Sequence, residues 1–344
     1  MGMKKKVGII GLGLMGQRRA NSINYKSDLV VGCDISTKKF NIFLKNINLR
    51  DKYKKKIKFC PNWRNLIDNF DLDIVIISTF HKDLIKIMNY AYKKRKHILV
   101  EKPASNSFSK LNKFIYSKQN KLSSVIHVGY DHRFLNSIQL AQKLVLNKNI
   151  GQLMFMKINY GHGARIGYAN EWRFRPSISG GGQLIDQGSH AIDLSILFLG
   201  NLKNVKSNLK SYFWKKKVDD NNFLILEFER KLVSLIHTSC TEWKNTFNLE
   251  LYGKTGKIKI FGKGGSYGKE KLILYSMNSK KLGIPKIKEW TFNNNNKNSF
   301  EKEYTYFLDS IQNKIYKKAS LLSALKVLSV IKKIYRQNNY DYCT

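Results

Sequence analysis

The fold class this sequence predicts is an α/β amino-terminal domain on a doubly wound parallel sheet, followed by an α+β domain with a large, mostly antiparallel open sheet. Three observations predict it. Up to about Val128 short apolar runs alternate with amphipathic stretches, the rhythm of parallel strands joined by crossover helices. After Arg133 strand-like runs succeed one another with few helices between them. A glycine-rich turn follows the first apolar run and opens the first helix. The expected division is residues 1–128 and residues 129–344, with the closing helices free to pack back on the first domain.

The elements can be taken in order. Strands are predicted at Val7 to Ile10, Leu29 to Cys33, Ile57 to Cys60, Ile74 to Ile77, Ile98 to Val100 and Val125 to Val128. The intervening segments read as helices; over Lys82 to Tyr92, Leu84, Ile85, Ile87 and Met88 recur at helix spacing. The second half opens with a helix at Ser137 to Leu146, a strand at Leu153 to Tyr160, a loop, and a helix from Gln183 to Phe198. Alternating strands follow at Val205 to Trp214, Asn222 to Glu229, Leu232 to Cys240, Phe247 to Tyr252, Lys257 to Phe261 and Leu272 to Tyr275. Asn293 to Asn296 reads as a polar loop, and helices near Phe300 to Gln312 and Ser320 to Arg336 close the chain. No internal repeat is evident.

Composition narrows the function classes. A chain of 344 residues with 42 % hydrophobic content can bury sizeable cores. Its formal charge of +38 raises the question of nucleic acid or an anionic membrane. The lysines are scattered rather than clustered, beside abundant Asn, Ile, Tyr and Phe, the residues of AT-rich codons, so base composition accounts for the charge and neither partner is expected. Cys33, Cys60, Cys240 and Cys343 show no Cys-x-x-Cys spacing, which excludes the usual zinc pattern and argues for reduced thiols and no metal. Lys4-Lys5-Lys6 and the apolar run after it imitate a signal peptide, but Gly8, Gly11, Gly13 and Gly16 interrupt the run. Gly2 does not start a myristoylation signal, since Lys6 stands where Ser or Thr is required. No stretch reaches the roughly 18 uninterrupted apolar residues of a membrane span. The expected location is the cytoplasm.

Gly11-Leu12-Gly13-Leu14-Met15-Gly16 carries the first chemistry. Directly after a strand and opening a helix, Gly-x-Gly-x-x-Gly gives a tight turn, close backbone approach to a pyrophosphate, and tight helix–strand packing, with phosphate on the helix N-terminus. Asp34 ends the second strand 18 residues past Gly16, near the position of the acid that accepts the adenosine ribose hydroxyls. A carboxylate there repels a 2′-phosphate and favours NAD; Lys38 and Lys39 just downstream leave NADP open.

Asp186, His190 and Asp193 are spaced i, i+4, i+7, so a helix presents all three on one face. Histidine exchanges a proton near neutral pH, and an adjacent carboxylate fixes its tautomer, so this polar stripe reads as acid–base machinery. Glu101-Lys102-Pro103 follows the fifth strand, at the edge where open parallel sheets bind ligands. Lys102 can donate to a substrate oxygen on which charge develops, and Pro103 stiffens its backbone.

Together these motifs resemble the glucose-fructose oxidoreductase and inositol dehydrogenase (Gfo/Idh/MocA) family over nearly the whole chain. The resemblance is carried by the order and spacing of Gly11 to Gly16, Glu101-Lys102-Pro103, Arg133-Phe134, Trp172-Arg173, and the glycine run leading to Asp186 and His190. It implies a Rossmann domain, NAD as cofactor, and Lys102, Asp186 and His190 as the catalytic group, with His190 accepting the hydroxyl proton and Asp193 shaping the same pocket. It implies further that Glu101 lies by the nicotinamide ribose, that Thr79 and His81 edge the cofactor, and that Trp172 and Arg173 approach the nicotinamide. Tyr160, His162 and Arg165 resemble pocket-lining residues. The chain departs from the family at Phe80-His81-Lys82-Asp83, where Pro is common, and at Asp131, where Asn is common. His97, His127, His132 and His237 read as structural.

The resemblance implies a sugar, sugar nucleotide or cyclic polyol as substrate and a homodimer or homotetramer as assembly. Three alternatives stay open: a non-catalytic sensor on the same fold, a transient-oxidation epimerase, eliminase or glycosidase that recycles NAD, and a nucleic-acid binder using the positive surface.

Overall fold

A computed structural model describes residues 3–118, 122–214, 217–278, 281–293, 297–315, 319–340 and 342. The chain divides into two compact units, one of residues 1–131 with 300–326 and one of residues 132–299 with 327–344.

In the first unit the apolar runs form strands β1 (Lys5–Ile10), β2 (Ser27–Cys33), β3 (Lys58–Cys60), β4 (Ile74–Ile77), β5 (His97–Glu101) and β6 (Ile126–Gly129). They pair in parallel in the order β3-β2-β1-β4-β5-β6, so the strand order reverses between β1 and β4. Parallel strands need crossovers, and these are the helices α1 (Leu14–Ser22), α2 (Thr37–Asn46), α3 (Asp51–Lys54), α4 (Trp63–Asn69), α5 (His81–Lys93) and α6 (Phe108–Tyr116). Such a sheet is covered on both faces, which is why β4 reads Ile-Val-Ile-Ile with every residue buried.

The second unit begins with α7 (Asn136–Leu146) and β7 (Leu153–Gly161), continues through a loop with the short α8 (Pro176–Ser179), and reaches α9 (Ser189–Leu199). Strands β8 (Leu202–Lys210), β9 (Asn221–Phe228), β10 (Val233–Ser239), β11 (Thr246–Gly253), β12 (Gly256–Phe261), β13 (Glu270–Asn278) and β14 (Lys281–Phe292) complete an eight-stranded sheet in the order β14-β13-β12-β11-β7-β10-β9-β8. Every pair is antiparallel except β7 with β10. Alternation sends Leu224, Leu226, Ile236, Leu249 and Ile258 into the core, while Phe223, Ile225 and Leu235 remain exposed on the other face.

Helices α10 (Lys297–Gln312) and α11 (Ala319–Gln337) close the chain. Tyr304, Phe307, Leu308 and Ile311 of α10 pack in one cluster with Val7, Ile9, Ile74, Ile76 and Leu99, so α10 is part of the first unit's core. No helix among the described residues is long and apolar enough to cross a membrane.

Three segments differ from the sequence expectation. The strand expected to run to Trp214 stops at Lys210, because the Asp220 carboxylate accepts from the amides of Tyr212, Phe213 and Trp214 at 2.9–3.1 Å and draws that backbone away from the ladder. Strand β14 was not expected at all: Pro285 and Gly283 break its alternation, and it is tolerated because β14 lies at the sheet edge, where a missing N–H costs little. The helix expected from Gln183 begins instead as a π-helical turn over Leu184–Gly188. The loop expected at Asn293 to Asn296 lies outside the described residues after Asn293.

Candidate active site

The first unit supplies a turn made of backbone. Gly11 has a φ of +93°, and a β-carbon on it would fall 2.5 Å from the Ser78 carbonyl oxygen, at the point where β1 and β4 part. Only glycine fits. A β-carbon on Gly16 would fall 2.1 Å from the Gly11 oxygen, so helix and turn pack with nothing between them. The Ser78 hydroxyl donates to that same oxygen at 2.8 Å and ties the ends of the two strands together. At Gly13 nothing lies within 4 Å of an added β-carbon, which leaves the approach to the first amides of α1 open. Leu14 beside it is exposed and Met15 half-buried.

The Asp34 carboxylate accepts from the Leu12 amide at 3.0 Å, and Lys39 lies 3.6 Å from its other oxygen. A tight glycine turn, an open helix N-terminus and a carboxylate at the end of the neighbouring strand fit a dinucleotide: pyrophosphate on the amides, ribose hydroxyls on Asp34. Thr79 and His81 follow β4, His81 buried in the first turn of α5 and Thr79 with a buried hydroxyl that has no partner among the described residues. Glu101 is buried at the end of β5 and Lys102 beside it is half-buried. Glycine turn, Asp34, Thr79, Glu101 and Lys102 thus all lie at the carboxyl ends of parallel strands.

The second unit supplies side chains. Asp186 sits in the π-helical turn, His190 and Asp193 in α9, and this segment packs on β7 and β10. Each group meets a partner from another segment. Arg173 donates through Nε to Asp186 at 2.8 Å and through Nη1 to Glu171 at 2.9 Å. Arg133 grips both oxygens of Asp193 in a fork. The His190 imidazole, 6 % exposed, lies with its ring centre 3.9 Å from that of His132, a residue read from the sequence as structural. Only its adjacency to Arg133 could have pointed to it.

The remaining expected pocket residues lie around this segment. Tyr160 is buried among His132, Phe247 and Tyr267, its ring centre 6.3 Å from that of His190, with the Lys263 ammonium 5.5 Å from its own ring centre. His162 has both ring nitrogens engaged: Nδ1 accepts from the Ala164 amide at 2.9 Å, and Nε2 meets the Tyr168 hydroxyl at 3.2 Å. Burial pushes its pKa down to about 4; Asp186 opposes the shift, and Arg165 and Arg173 reinforce it. It therefore braces its loop. Arg165 is 56 % exposed and pairs with Glu171, and Trp172 lies half-buried under the Arg173 guanidinium.

One positioning residue had no sequence signal. Asp219, wholly buried just before β9, accepts from the amides of Gly182 at 3.1 Å and Leu184 at 2.7 Å and from the Tyr335 hydroxyl at 2.9 Å. It is the acceptor that starts the turn carrying Asp186. A β-carbon on Gly182 would fall 2.2 Å from the Asp219 carbonyl oxygen, which accounts for one glycine of the run.

Comparison with known proteins agrees with both halves. The profile described as "oxidoreductase family, NAD-binding Rossmann fold" matches residues 5–130, and that of the GFO/IDH/MocA C-terminal domain matches residues 138–259. Glucose-6-phosphate 3-dehydrogenase of Bacillus subtilis is 25 % identical over 270 residues, 74 % of each chain. Levoglucosan dehydrogenase of Pseudarthrobacter phenanthrenivorans is 28 % identical over 153 residues, 44 % of this chain, and the match spans only 39 % of that protein's length. A solved levoglucosan dehydrogenase in complex with NADH and levoglucosan superposes with a TM-score of 0.84 over 98 % of both chains at 18 % identity, a likeness of fold.

Proposed function

Because the chain belongs to the Gfo/Idh/MocA family of oxidoreductases and carries its NAD-binding Rossmann domain, we propose that it is a dehydrogenase moving a hydride between nicotinamide and a ring carbinol carbon of a sugar, sugar nucleotide or cyclic polyol. The observation that carries this reading is the Asp186, His190 and Asp193 stripe: three ionisable groups on one buried segment, each carboxylate met by an arginine. A helix that only packed would place apolar residues there. That curated relatives are named as dehydrogenases of levoglucosan, glucose 6-phosphate and inositol supports the substrate class.

Gly11, Gly13, Leu14, Met15 and Gly16 hold the pyrophosphate, and Asp34 takes the adenosine ribose, with NAD favoured over NADP by its charge. Bound NAD supplies the hydride acceptor. His190 removes the proton from the substrate hydroxyl, a step typically worth about 10²- to 10⁴-fold. Asp186, held by Arg173, orients the hydroxyl, Asp193 on Arg133 keeps the face of α9 in place, and Lys102 donates to the substrate oxygen. Thr79 and His81, which follow β4, edge the cofactor and Trp172 and Arg173 approach the nicotinamide, while Tyr160 and Arg165 border the substrate. Cys33, Cys60 and Cys240 are free thiols, Cys33 pushed up to about 12 by burial, which suits a reducing cytoplasm.

The exposed Phe223, Ile225 and Leu235 on one sheet face suit a second copy of the chain, giving a dimer or tetramer; light scattering that finds a monomer at micromolar concentration removes this part. The activity is tested by NADH-linked screening of polyols, sugars and nucleotide sugars with the natural chain and Lys102→Ala. Turnover should fall by about 10²-fold or more in the variant while NAD binding survives. Unaltered turnover would falsify the role of Lys102, and turnover without net NADH would move the reading to a transient-oxidation reaction.

A further inference from the structure

Arg19 of α1 is fully buried, yet the mechanism above does not use it. Its Nε donates to Glu101 Oε1 at 2.6 Å, its Nη1 donates to Glu303 Oε2 at 2.5 Å, and its guanidinium carbon lies 4.7 Å from the centre of the Phe300 ring. The other Glu303 oxygen lies 3.1 Å from His127 Nε2 on β6. Glu303 and Phe300 belong to α10, so a helix from the carboxyl-terminal part of the chain reaches the end of β5 through one guanidinium. The space is shaped for it: a β-carbon on Gly129 would fall 2.2 Å from Arg19 Nη2 and 3.4 Å from Glu101 Oε1.

Stability alone does not account for this arrangement. Two buried carboxylates share one arginine, and well-packed apolar residues of like volume are often as stable or more so. Burial favours protonation of Glu101 and Glu303 adds to that, while Arg19 draws the other way. Arg19 itself is disfavoured as a cation by burial, but the two carboxylates outweigh it and keep it charged. The result is a carboxylate fixed by one oxygen. Among the described residues Glu101 Oε2 accepts no hydrogen bond.

The topology says what lies beyond the end of β5. The glycine turn lies at β1 and Asp34 at the end of β2, on one side of the strand-order reversal. A dinucleotide with its adenosine on that side extends its other half over β4 and β5. We propose that Arg19 and Glu303 are positioning residues that hold the Glu101 carboxylate for the hydroxyls of the nicotinamide half of NAD, making α10 part of the cofactor site. The inference rests on the NAD reading above. Neither residue is needed for the adenosine half.

The test is a binding cycle by calorimetry on the full chain, with NAD and with ADP, which lacks the nicotinamide ribose, for the natural protein, Glu303→Gln, Glu101→Gln and the double variant. Glu303→Gln should weaken NAD by about tenfold, the scale of a charged hydrogen bond, and leave ADP within about twofold. The double variant should bind NAD no more weakly than Glu101→Gln, because Glu303 acts through Glu101. Additive losses, or equal losses for the two ligands, overturn the proposal. If Glu303→Gln does not fold, Arg19→Lys, which keeps the charge but not the planar fork, is read in the same way. A natural protein that binds neither ligand sinks the NAD reading itself, whereas one that binds both with Glu303→Gln unaltered sinks only the clamp.

Discussion

The glycine turn of the first unit and the histidine segment of the second are built by opposite means. The turn works by removal: β-carbons at Gly11 and Gly16 would collide with backbone, and Gly13 stands open. The histidine segment works by addition: Asp186, His190 and Asp193 each need a partner, Arg173, His132 and Arg133, brought from other segments. A site made of backbone is written in six consecutive residues. A site made of balanced side chains is spread over some sixty residues, from His132 to Asp193, and depends on the fold to assemble it.

The largest expected effect separates two glycines of the same turn. Gly16→Ala places a methyl 2.1 Å from the Gly11 oxygen, so the turn must open; overpacking of this kind costs about 1–3 kcal/mol and should remove NAD binding. Gly13→Ala meets nothing within 4 Å, so it should unfold at the same temperature as the natural chain and weaken NAD only by obstructing its approach. Thermal unfolding and NAD titration of both variants decide it. Equal melting temperatures would break the claim that the turn is set by steric exclusion.

A smaller effect is expected at the start of the histidine segment. Asp219 offers two acceptor oxygens to three donors, the amides of Gly182 and Leu184 and the Tyr335 hydroxyl. In Asp219→Asn an amide NH₂ replaces one oxygen and faces a donor, which leaves a buried N–H unsatisfied at about 1–3 kcal/mol. The turn carrying Asp186 loosens with it, so kcat should fall several-fold while NAD affinity is unchanged. Loss of NAD affinity to the same degree would show that the two regions do not act separately.

This contrast also explains what could be read in advance. All six parallel strands and the glycine turn were legible, because buried strands are continuous apolar runs and the turn's chemistry is contiguous. The stripe of Asp186, His190 and Asp193 was legible as spacing, but its partners were not: nothing in the order of residues links Arg173 to Asp186 or Asp219 to Gly182. His132 looked like a strand-end histidine until its ring met that of His190. The early end of β8 had the same cause, since Asp220 captures amides six to eight residues before it. Pro285 hid β14 because the prohibition on proline holds for central strands and lapses at an edge.

The smallest expected effect concerns a residue that the sequence assigned to the pocket and the structure engages within its own loop. The Ala164 N–H points at His162 Nδ1, so a proton on that nitrogen would face a donor, and burial already holds the pKa near 4 against an ordinary 6.5. Above pH 6.5 folded and unfolded chains are both neutral at this group and it contributes nothing. Between about 6.5 and 4 the unfolded chain binds a proton that the folded one refuses, so stability falls as pH falls, by a few kcal/mol at most; below 4 the loss is constant. His162→Gln should therefore flatten the urea-unfolding midpoint over that window by about one proton's worth of slope and leave kcat above pH 7 nearly unchanged. A variant with the natural slope but a large rise in KM would return His162 to the substrate, and with it the view that the second region recognises its ligand through the loop rather than through α9.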